Sequence, residues 1–155
     1  MSRARLLLHV AALLLPPAAA ALFAVMVNRD PAFVLRMAVY FGGAGALSAQ
    51  IAALLRWPAL ERHAIAGSGG WLAGLGMAAI AHLVFGILLV IGLAVASGGW
   101  EKSAGTGRPS DLIFQALFFI AMSIMPLGAL TFPLTAAVAE YVARLRAREL
   151  ADVVR

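Results

Sequence analysis

The chain contains no cysteine. That excludes disulfides, thiolate metal sites and cysteine nucleophiles. Charge is scarce as well: Asp, Glu, Lys and Arg make up 12% of the 155 residues, against about a quarter in soluble domains. There is no H-E-x-x-H, G-x-S-x-G or Walker A sequence, and no paired carboxylates fall within an apolar run. The clusters GGAG and GSGG lack the strand–turn–helix setting that phosphate binding needs. These absences together predict a protein that is not an enzyme and carries no metal or cofactor. The net charge of +5 is no sign of nucleic-acid binding, because membrane proteins concentrate Lys and Arg at their cytoplasmic ends.

What the chain has instead is apolar length. Hydrophobic residues form 63% of it, with a mean hydropathy of +0.96. Four runs are long enough to cross about 30 Å of hydrocarbon: residues 6–27, 32–55, 71–96 and 112–139. The expected fold is all-α, a single domain of four transmembrane helices, with residues 140–155 as a basic tail. The first run also resembles a secretory signal peptide, with Arg3 and Arg5 ahead of LLLHVAALLL and then PPAAAALFA. Its continuation through Val27 favours a retained span.

Small residues organise the third run. Gly70, Gly74, Ala78, His82 and Gly86 recur every four positions and so form one helical ridge. Such ridges let helices approach closely in lipid, where water no longer drives burial. Gly42, Gly45 and Ala49 predict a second packing face on helix two. His82, inside the ridge, is expected to face protein.

Depth follows from a rise of about 1.5 Å per residue. His82 falls about 16 Å from the inner end of its helix, Pro16 about 15 Å from the inner end of helix one, and Ser123 about 16 Å from the outer end of helix four. His82, Ser123 and carbonyls freed near Pro16 and Pro126 are therefore candidates for a midplane polar site. An intramembrane ionisable residue is a functional hypothesis by default, and broken helices line transporter sites. The plainer reading makes His82 a hydrogen-bonded tie between helices. A haem held by His9 and His82 fits poorly, since their depths differ by about 11 Å.

Several boundaries are expected. Asp30 caps helix two ahead of Pro31, and Trp57 with Pro58 ends it at the interface. Residues 59–69 form a short polar connection containing His63. Trp71 and Trp100 anchor helix three, and Ser110 caps helix four with Asp111 at its positive end. Leu112 to Val142 as one helix would be about 46 Å long, so bends at Pro126 and Pro133 or an extension past the bilayer must absorb the excess. The tail is expected to be an amphipathic cytoplasmic helix whose Arg144, Arg146 and Arg148 meet lipid headgroups.

Arginines 3, 5, 56, 62, 144, 146, 148 and 155 stand on one side, against Arg29, Arg36, Lys102 and Arg108 on the other. Both termini are thus expected in the cytoplasm. Eleven of the twelve basic residues are Arg, and Ala and Gly abound, a composition associated with GC-rich bacterial genomes. The expected setting is a bacterial inner membrane and the expected role an accessory, scaffold or assembly subunit. A small homo-oligomeric transporter or channel around His82 is the alternative. The partners implied are the lipid bilayer and other membrane subunits or further copies of the chain.

Overall fold

The computed structural model describes residues 1–99 and 108–154. The described residues form four helices: α1 (Arg3–Val27), α2 (Pro31–Ile65), α3 (Trp71–Ala96) and α4 (Pro109–Val154). All four are long and apolar enough to cross a membrane. Trp100 and most of the connection between α3 and α4 lie outside the described residues.

Local chemistry sets most of the ends. The Ser2 hydroxyl accepts the Arg5 amide at the start of α1, and the Asp30 carboxylate accepts the amides of Ala32 and Phe33 at the start of α2. Both use donors a helix leaves unpaired in its first turn. The helix α2 stops at a left-handed residue, Gly67, with φ +64°. The Ser68 amide reaches back to the His63 carbonyl and the Gly67 amide to Ala64, the Schellman pattern that favours glycine. The α3 helix ends the same way at Gly98, with φ +78°.

This moves the expected end of α2. Pro58 lies inside the helix rather than beyond it, and His63 belongs to its last turn. Tertiary burial overrides the proline: Leu60 and Ala64, past Pro58, are both buried in the core. Trp57 is buried too, with the Arg5 guanidinium 5.6 Å from its ring centre, so it is a packing residue and not an interfacial anchor. Of the tryptophans among the described residues, Trp71 is exposed. At the other boundary, α4 begins at Pro109, which puts Ser110 inside the first turn rather than at the cap.

The chain packs as two hairpins, α1 on α2 and α3 on α4, joined along α2 and α3. The α4 helix also touches α1 and α2, whereas α1 and α3 stand at opposite corners. The shared core lies at the end carrying both termini, where Ala4 and Leu8 meet Leu60, Met77, Val142 and Ala143. Charged groups close that end. Arg146 donates to Glu61 at 2.6 Å and to Glu149 at 3.4 Å, and Glu149 accepts the Ala4 amide. Residues of α1, α2 and α4 are thereby tied together at one level.

Candidate functional site

The α3 ridge is buried along its length: Gly70, Gly74, Ala78, His82 and Gly86 all face protein. At Gly74 an added Cβ would lie 2.6 Å from the Ala136 Cα and 2.7 Å from the Thr135 carbonyl oxygen. At Gly86 it would collide with Ile120 and the Ala116 carbonyl, and at Gly70 with the Ala139 carbonyl. The glycines therefore seat α3 directly on the α4 backbone. On α2, a Cβ added at Gly42 would lie 2.6 Å from the Pro17 Cα and one added at Gly45 2.9 Å from the Pro16 ring, so the two prolines of α1 rest on glycines. Both small-residue faces are used within the chain.

The α3 and α4 paths differ in length. Twelve residues of α3 separate Gly74 from Gly86, yet the α4 contacts Ala136 and Ile120 are sixteen apart. The α4 helix spends about one extra turn, roughly 6 Å, between the same two contacts. Pro126 and Pro133 both fall within this stretch of α4, where a helix can bend. His82 sits in this interval. Its Nδ1 is 2.9 Å from the Ser123 hydroxyl, its Nε2 is 2.8 Å from the Thr131 hydroxyl, and Phe132 stacks on the ring with centres 5.5 Å apart. Ser123 and Thr131 flank Pro126, so one imidazole ties both sides of the proline to α3.

The proton arrangement of this trio follows from its partners. The Ser123 hydroxyl donates to the Ile120 carbonyl at 2.8 Å, so its oxygen must accept from His82 Nδ1–H. In a neutral imidazole Nε2 is then the acceptor, and the Thr131 hydroxyl donates to it. Both ring nitrogens are satisfied by neutral hydroxyls. Thr131 is the partner that sequence reasoning missed. Its position eight residues beyond Ser123 would put it two turns away on a straight, parallel neighbour.

A second polar pair joins the first hairpin. His9 Nδ1 donates to the Gln50 side-chain oxygen at 2.7 Å, and the Gln50 side-chain amide donates to the His9 carbonyl at 2.7 Å. The side chains with which His9 and His82 bond are therefore separate, one set in each hairpin. Among the described residues no group of three or more His, Asp and Glu is placed to hold a metal.

The interior beyond the core is a cavity of about 390 Å³ lined by all four helices. His82, Ser123, Pro16 and Pro126 all reach it, together with Thr131, Gly45, Ala49 and Ala78. The candidate midplane residues therefore share one wall system, which is otherwise almost wholly apolar. Arg144 pairs with Glu140 at 2.8 Å while remaining exposed, and Arg148 is exposed. Arg146 is engaged by Glu61 and Glu149, and Glu61 beside it holds its pKa above the usual value. Of the three arginines expected at headgroups, Arg144 and Arg148 are the exposed ones. Arg144 and the amides of Gly70 and Trp71 hold the Glu140 carboxyl below its ordinary range.

Compared with known proteins, the chain matches no family model, no curated protein and no solved structure.

Proposed function

We propose that the chain is a non-catalytic integral protein of a bacterial inner membrane, with both termini cytoplasmic. It serves there as an accessory, scaffold or assembly subunit of a larger membrane complex. The observation that carries this reading is the inward use of polar groups. His82 spends both nitrogens on Ser123 and Thr131, and His9 pairs with Gln50. The outward surfaces are left to large apolar residues such as Leu14, Leu35, Leu83 and Phe114, suited to lipid and to helices of another membrane protein. Because the glycine ridges are consumed inside the chain, partners would meet these outer faces.

Native mass spectrometry of carboxyl-tagged protein in nanodiscs tests the role. A second membrane polypeptide at fixed stoichiometry is the expected result, and a bare monomer refutes it. Orientation is read by enzyme fusions at residues 65 and 104, with cytoplasmic activity expected at 65 only.

The cavity beside His82 favours one second reading, a small homo-oligomeric transporter or channel. Uptake or conductance lost in His82→Ala, in protein that still assembles, would select it over the subunit role.

A further inference from the structure

We infer that the cavity between the helices holds one acyl chain of a phospholipid from the surrounding bilayer. The inference is independent of the subunit reading and rests only on the four helices crossing a membrane.

Shape is the first argument. Along α1 the lining runs from Leu8 to Phe23, a length of about 22 Å. The space therefore runs lengthwise between the helices, as an extended hydrocarbon chain does.

Chemistry is the second. Water in a protein cavity needs two to four polar partners. Here the polar wall groups other than Thr135 are engaged: Ser48 donates to the Ala44 carbonyl, Ser123 to Ile120, and Thr131 to His82. The rest of the wall is Ala, Leu, Met, Pro, Val and Phe, with Gly45 and Thr135. Unfilled, such a wall forfeits its dispersion contacts, and in a bilayer the abundant apolar filler is hydrocarbon.

The third argument locates the headgroup. Phe23, Phe41 and Phe118 line the cavity at the end away from the termini. Met37 lines it there too, and its neighbour Arg36 is exposed about 8 Å from the start of α2. An arginine at that depth reaches the interface by snorkelling, where it complements a lipid phosphate.

The test uses the full-length protein, reconstituted with phosphatidylcholine carrying a diazirine midway along one chain. Surrounding lipid is then exchanged for detergent before irradiation, and adducts are mapped by peptide mass spectrometry. The expected adducts fall on cavity residues of α1 and α4 such as Ala19 and Met122. Ala81→Phe, which fills the cavity from α3, should reduce them at least threefold, and Ala79→Phe, on the outward side of the same helix, should leave them unchanged. Ala19→Trp fills the opposite wall and replaces Ala81→Phe if that variant does not fold. Loss of all adducts on lipid exchange overturns the inference. So does labelling spread evenly over the outward faces, or cavity labelling indifferent to filling. A second polypeptide that co-purifies after lipid exchange, with no lipid adducts on Ala19 or Met122, would overturn it in favour of a partner helix.

Discussion

Replacing Gly74 by Ala adds one methyl group at a seat where the α4 backbone stands directly opposite α3. Its carbon would stand 2.6 Å from the Ala136 Cα, 2.7 Å from the Thr135 carbonyl oxygen and 2.8 Å from the Ala139 Cβ. Carbon atoms settle about 3.5–4.0 Å apart, so the two backbones must part by about 1 Å. None of the three neighbours is the end of a flexible side chain, and rotation therefore relieves nothing. Overpacking of this kind costs about 1–3 kcal/mol. Glycine-to-alanine exchange also changes helix propensity by up to about 1 kcal/mol in the opposite sense, and a control must cancel that term. Gly43 supplies it: it lies inside α2, with nothing within 4 Å of an added Cβ. Reversible unfolding in mixed micelles, followed by circular dichroism, should place Gly74→Ala about 1–3 kcal/mol below Gly43→Ala. Equal stability of the two variants would refute the direct seating of α3 on the α4 backbone.

Two further outcomes use the same unfolding assay. Gln50→Leu removes both hydrogen bonds to His9, and at about 0.6 kcal/mol for an average bond inside a membrane protein the expected loss is about 1 kcal/mol. Glu140, held below its ordinary carboxyl value of 4.5 by Arg144 and the α3 amides, binds fewer protons folded than unfolded. Its contribution is whole above that value and fades as pH falls through the depressed one. Glu140→Gln should therefore flatten the acid side of the stability profile and leave its slope near neutrality unchanged.

Much of this arrangement was legible from local chemistry. A glycine every four residues has one steric meaning on a helix, and the α3 ridge is buried as that meaning requires. The inward face of His82 followed from the same spacing. The end of α2 was not legible, because Pro58 is a stop signal only where nothing holds the next turn. Here Leu60, Ala64 and the Glu61–Arg146 pair hold it against residues far along the chain. The partner Thr131 was hidden because α3 and α4 are unequal in path, which a one-dimensional reading of depth assumes away. The His9–Gln50 pair needed the packing of α1 on α2, which no spacing in either helix encodes.

The two polar ties have a consequence for the order in which the chain is made. Gln50 meets His9 as soon as α2 folds back on α1, and His82 finds Ser123 and Thr131 once α4 follows α3. Each hairpin thus brings its own hydrogen-bond partners, and neither has to leave a bare imidazole in hydrocarbon while waiting for the other half. The clasp between the Ala4 amide and Glu149, 145 residues apart, and the Glu61–Arg146 pair have to wait for the last turns of the chain. Insertion can proceed hairpin by hairpin, with closure of the bundle as a late event.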